Sequence, residues 1–291
     1  GGGVPGPRLK TAQAPPPLLL GCDFSSSPSR QKMIVIATGH LVDNGVALSN
    51  LECFTSLDAW AARLAQPGER WVGGFDMPFG LPRELVQALG WPTDWAACMD
   101  HYQRLSRADI RSTFKAFCAA RPVGQKFAHR ATDGPAGSSP SMKWVNPPVA
   151  FMLHAGLPLL RQAGVHMPGL MPTPAQPPER VALEAYPGLL ARAVLARRSY
   201  KSDDKARQTP DRRDARQALV AALEAGQYAG LRLQLSPAQR ALLVSDARGD
   251  SLDAVLCMLQ AAWALRQHQQ GAPLYGLPPD MDPLEGWIVG A

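Results

Sequence analysis

The stretch WVGGFDMPFGLPREL, residues 71–85, decides how the chain folds. An apolar run of strand length ends on a single carboxylate, Asp76. Pro78, Gly80 and Pro82 then break the chain before a helix-like segment. The pattern predicts a buried strand over 70–76 that stops at the acid. A carboxylate in apolar surroundings needs a partner, because burying its charge is costly. Asp76 either shapes the turn before Met77-Pro78 through its own backbone or belongs to a site.

Working outward, the segment 17–24 reads as a first strand ending at Asp23, 32–41 as a second and 45–54 as a third. Asn44-Gly45 is a hairpin signal between the last two. The meander leads into a helix over 56–65, with Ser56 as its cap. After the strand at 70–76, helices are predicted over 82–89, 94–119 and 147–163, with a Gly/Ser/Pro-rich loop at 124–141. That loop is long enough to suggest a functional role. A fifth strand covers 180–186, followed by helices at 187–198, 211–225, 236–246 and 251–268. Held to the residues alone, this is a mixed α/β layer architecture. Residues 1–16 read as a disordered tail, 17–270 as one domain with a helical insert at about 90–179, and 271–291 as a C-terminal tail.

The composition limits the class. Hydrophobic residues make up 46% of 291, enough for a sizeable core. No apolar run approaches the roughly 20 residues of a membrane helix, so a soluble protein is expected, and the scattered, unpaired pattern of its cysteines fits a reducing cytoplasm. Leu19-Leu20-Gly21-Cys22 looks like a lipoprotein cleavage site, but the apolar run before Cys22 is too short for a signal peptide. Five scattered cysteines and six unclustered histidines argue against a disulfide framework or a histidine-bound metal. The net charge of +6 is uneven: residues 98–143 hold eight Arg/Lys against three Asp, and residues 192–216 nine against four. Two basic segments suggest nucleic acid as partner. Two solvated helix faces are the alternative.

Four sequence-distant acidic sites share a pattern. Asp23, Asp76 and Glu184 end strands, and Asp250 with Asp253 open an apolar helix. Converging at one sheet edge, they would bind Mg²⁺ or Mn²⁺, which take oxygen ligands. Two such ions about 3.5–4 Å apart support phosphodiester cleavage. Each acid has a simpler role available: a turn for Asp23, an arginine partner for Glu184, a helix cap for Asp250 with Asp253 in the first turn. Leu252, Leu256, Leu259 and Trp263 form a stripe that would anchor the last helix on a sheet.

The segments GCDFSSS, FDMPFGLP, LEAYPGLL and GDSLDAVLCMLQAAW, in this order, resemble the domain-of-unknown-function family 429 over about residues 18–268. HRATDGPAGSSPSMKWVNPPV and RRSYKSDDKARQTPDRRDAR are similar to further segments of that family. The resemblance implies a ribonuclease H-like fold: a five-stranded sheet, its first three strands antiparallel, with helices on both faces. It also implies metal-dependent nuclease activity. By position, Asp23 would bridge two metals and Asp76 would be the fourth-strand ligand. Asp250 and Asp253 would form the D-x-x-D of the final helix, a pattern also similar to Holliday junction resolvases. Glu184 would be the fifth-strand acid.

Lys201, Tyr200, Arg130 and Lys143 are candidate nucleic-acid contacts, with Asn146 beside them and Trp144 either stacking on a base or packing on the loop. The expected function is therefore a metal-dependent nuclease. The alternatives are a catalytically inactive nucleic-acid-binding protein of the same fold and an ATP-dependent phosphotransferase. The last is disfavoured, because no Gly-rich phosphate loop follows the first strand.

Overall fold

A computed structural model describes residues 2–7 and 15–291. Most of the tail expected at 1–16 lies outside the described residues. The sheet has six strands: β1 (Leu18–Asp23), β2 (Ile34–Val42), β3 (Gly45–Phe54), β4 (Trp71–Asp76), β5 (Arg180–Glu184) and β6 (Arg232–Gln234). Their order is β5-β4-β1-β2-β3-β6. β1, β2 and β3 form an antiparallel meander, with Asp43 and Asn44 turning the second hairpin. β4 runs parallel to β1, β5 parallel to β4 and β6 parallel to β3. The sixth strand corrects the expected five. Three residues, Arg232-Leu233-Gln234, are too few to show a period, and their pairing with Gly45–Ala47 is long-range.

The helices are α1 (Leu57–Leu64), α2 (Arg83–Ala88), α3 (Trp95–Arg104), α4 (Arg107–Ala119), α5 (Asp133–Ala136), α6 (Val149–Gln162), α7 (Pro187–Leu195), α8 (Pro210–Glu224), α9 (Pro237–Ser245) and α10 (Asp250–Gln269). Ser56 caps α1 by accepting the Ala59 N–H at 3.1 Å. The single helix expected over 94–119 is two, broken at Leu105. Ser106 and Asp109 form a reciprocal capping box that starts α4.

Apolar side chains fill both faces of the sheet. Leu19, Val72 and Leu183 pack on one face with α7 to α10. Leu20, Cys22 and Phe75 pack on the other with α1, α3, α4 and α6. This two-sided burial explains why the central strands read as continuous apolar runs. The C-terminal segment is also packed: Leu284, Ile288 and Val289 are buried, and the Val289 N–H donates to the Glu184 carbonyl at 3.0 Å. Among the described residues no helix is long and apolar enough to cross a membrane.

α10 lies unusually close to the sheet. Gly21 and Gly74 are register partners on β1 and β4. A Cβ at Gly21 would sit 1.9 Å from the Ala254 carbonyl oxygen, and one at Gly74 2.4 Å from that of Cys257. The side of α10 that meets the sheet glycines carries Ala254, Cys257 and Met258. The leucine stripe expected to anchor it packs elsewhere in the same core, and Trp263 turns towards Gly276. The stripe misleads because α10 is buried almost all round, so no single face is marked by polarity.

Gly21→Ala is expected to cost about 1–3 kcal/mol or more, as overpacking against backbone does. Gly134→Ala, with open space around it, should be close to neutral. Urea denaturation of both variants checks this. Equal midpoints would contradict the close helix–sheet contact.

Candidate functional site

Side chains alternate across a strand, so residues two beyond Gly21 and Gly74 return to the α10 side of the sheet. These are Asp23 and Asp76, register partners at the carboxyl ends of parallel β1 and β4. The first turn of α10 supplies Asp250 and Asp253 to the same edge. Gly249 caps that helix with φ 73°, a conformation open to glycine, and its missing side chain leaves room for Lys201. The capping role considered for Asp250 falls to other groups: the Asp246 carboxylate accepts the Ser251 N–H at 3.0 Å. Asp250 instead pairs with Lys32 at 2.9 Å, which also reaches Asp203 at 3.3 Å. Asp253 is fully buried, with one oxygen accepting from the Tyr200 hydroxyl and the other from the Lys201 ammonium.

The electrostatics are those of acids lying near one another. Burial pushes the Asp23 carboxyl well above its ordinary range, and Asp253, Asp250 and Asp76 push it further, against Lys201. Asp76 is pushed up to about 7 by burial and then by Asp253, with Lys201 opposing. Asp250 is raised by burial, and Lys32 opposes. Burial works to lower Lys201, but Asp253, Asp23 and Asp76 outweigh it and hold the ammonium above the ordinary lysine value. Lys201 is thus an internal cation set among carboxylates.

Glu184 is placed differently. It is the register partner of Phe75, one residue short of the Asp76 row, so it points to the opposite face. There it takes both terminal nitrogens of Arg130, each at 2.7 Å, and the Phe79 N–H at 3.0 Å. Burial raises the Glu184 carboxyl and Arg130 pulls it back. Asp133 accepts from Arg130 at 3.2 Å, and the Glu285 carbonyl at 3.1 Å. The arginine partner considered for Glu184 is thus Arg130; the sequence did not mark which arginine it would be, nor that Asp133 and the Glu285 carbonyl share it. The carboxylate of Glu285 also accepts the Arg83 and Ala131 N–H groups, tying the long loop to the C-terminal segment.

A cleft of about 230 Å³ opens over the strand ends, lined among others by Asp76, Tyr186, Lys201, Glu184, Arg130 and Ile288. Two expected nucleic-acid contacts are not surface groups. Arg130 is 3% exposed and Tyr200 8%, each already bound to a carboxylate. Lys143 is half-buried and is not among the residues lining the cleft, and Trp144 packs edge-on against Phe127 at 5.9 Å. Cys22 is buried within β1, and all five cysteines are free.

As to metal, the donors are all carboxylate oxygens, which suit Mg²⁺ or Mn²⁺. Among the described residues no three His, Cys, Asp or Glu side chains are already arranged at ligand spacing. Lys201 places its ammonium among these carboxylates, and its side chain is 40% exposed. The chemistry of the donor set and its stand-in ammonium fit a hard cation.

A carboxyl raised in the folded state favours folding most below the ordinary carboxylate range, and that gain is lost as pH rises through its folded value. Asp76→Asn should therefore stabilise the protein at pH 8 in EDTA by up to about 4 kcal/mol, and by only about 1 kcal/mol at pH 4.5. A pH-independent effect in urea melts would contradict the shift. Arg130→Met should destabilise by about 3–5 kcal/mol, because Glu184 and Asp133 lose their buried counter-charge. The same denaturation series measures it, and a neutral outcome would contradict the ion network.

No curated protein and no solved structure matches the chain. A family model described as protein of unknown function (DUF429) matches residues 21–278, a span that holds all four converging aspartates, and the chain belongs to that family.

Proposed function

We propose that the chain hydrolyses phosphodiester bonds in nucleic acid, with divalent cations held by Asp23, Asp76, Asp250 and Asp253, on a ribonuclease H-like variant of the mixed sheet. The observation that carries this reading is the in-register pair Asp23 and Asp76 facing Asp253 across the edge of the sheet. Burial and mutual repulsion leave this group short of positive charge, and two lysines offset only part of it. Bound Mg²⁺ or Mn²⁺ would polarise the scissile phosphate and activate water.

The chain's own residues do the rest. Asp23 and Asp76 present oxygens from rigid strand ends, where their geometry is fixed by the ladder. Tyr200 holds the Asp253 carboxylate in orientation. Lys201, once released from Asp253, reaches the cleft as a phosphate contact. Glu184 acts as a positioning residue: through Arg130 it fixes the cleft wall and the turn at Phe79.

The second reading, a nucleic-acid-binding protein without catalysis, draws on a different observation: Lys201 already neutralises Asp253. Labelled DNA and RNA, linear and branched, incubated with Mn²⁺ or Mg²⁺, separate the two. Cleavage by the wild type and a loss on the order of a hundredfold or more in Asp76→Asn are expected. Full activity in Asp76→Asn would sink the hydrolase reading. Salt-dependent binding with no cleavage under either ion would establish the second.

A further inference from the structure

The basic segment at 98–143 is largely spent on the fold. Arg121 pairs with Glu84, and Arg130 is locked on Glu184. Arg107 and Arg111 behave otherwise. They lie one turn apart on α4, on the same flank of the helix. Their guanidinium carbons stand 5.0 and 5.6 Å from the centre of one ring, that of Phe151 on α6. Among the described residues neither makes an ion pair. The intervening Asp109 is turned back to the Ser106 N–H as part of the capping box.

Two like charges gathered on one ring, with no carboxylate to balance them, repel each other. The ring attracts both, and the Ser26 carbonyl accepts from Arg107 at 3.0 Å, so the pair is held in place in spite of that repulsion. An anion is the missing member. The position says which anion: Ser26 is three residues beyond Asp23, and Met152, next to Phe151, lines the cleft.

We infer that Arg107 and Arg111, seated on Phe151, grip successive phosphates of a single nucleic-acid strand and lead it to the carboxylate cleft. This rests on the hydrolase reading for the nature of the partner, and deepens it by naming where the strand enters. Phosphates are recognised by guanidinium groups through paired N–H donors, so both arginines contribute geometry as well as charge.

The test uses the full chain in EDTA, so that cleavage plays no part. Anisotropy of a labelled single-stranded oligonucleotide is followed over a range of salt. Arg107→Gln with Arg111→Gln is expected to weaken binding by about tenfold or more. It should also flatten the slope of log affinity against log salt by about 1.4, at roughly 0.7 per strand phosphate. Arg111→Gln alone, at an exposed position, should flatten it by about 0.7 and decides the matter if the double variant does not fold. Unchanged affinity and slope in a folded variant would overturn the proposal. Calorimetry with inorganic phosphate supplies a second arm. Phosphate binding lost in the variant while oligonucleotide binding persists would also overturn it, leaving only a small-anion site. Wild-type binding without cleavage in Mn²⁺ would sink the hydrolase reading and leave this one standing. Unchanged oligonucleotide binding in the double variant, with wild-type cleavage intact, would sink this one alone.

Discussion

The structure depends on one contact: the backbone of α10 resting on β1 and β4 where Gly21 and Gly74 carry no side chains. A side chain at either position would lift the helix off the sheet. With the helix down, the first turn of α10 is brought level with the carboxyl ends of the two strands. Asp253 then faces Asp23 and Asp76 without any flexible loop between them. A site built on strands and a helix holds its groups more firmly than one built on loops. The small-residue seam thus sets both packing and site geometry.

That geometry has an electrostatic cost. Burial, and after it repulsion from neighbouring aspartates, disfavours the ionised forms of Asp23 and Asp76, so both are raised. Lys201 and Lys32 relieve part of this charge, each from a position partly open to solvent. A fold selected only for stability would not place its acids so. Glu184 shows the contrast. Its buried carboxylate is paired in two bonds with Arg130 and tied through the Glu285 carbonyl to the C-terminal segment. One group is only partly compensated by lysines at the open edge, and the other is closed within the protein.

The strands, most helices and the strand-end acids were legible in the sequence because each rests on local signals. Apolar runs stop at Asp23 and Asp76, Asn44-Gly45 marks the hairpin, and Ser56 starts α1. The capping box Ser106 to Asp109 was an available signal for the break between α3 and α4. Other features depend on register or on long-range contact. Glu184 falls one residue short of the Asp76 row, and only strand pairing reveals that it faces the other way. Arg130 reads as one more basic loop residue until its burial against Glu184 is seen. The segment after residue 270 has no period, yet Leu284 and Ile288 are buried against the loop and β5 side of the molecule. β6 is too short to carry a pattern at all.

In the proposed reading Asp23, Asp76 and Asp253 form one cation-seeking group for which Lys201 stands in. Titrating Mn²⁺ into the protein and following free metal by electron paramagnetic resonance tests it most directly. Wild type should bind, Asp76→Asn should bind much more weakly, and Lys201→Met should bind more tightly, because the internal cation is gone. Absence of binding in wild type and Lys201→Met alike, with an oligonucleotide present, would contradict the claim and mark the strand-end acids as structural.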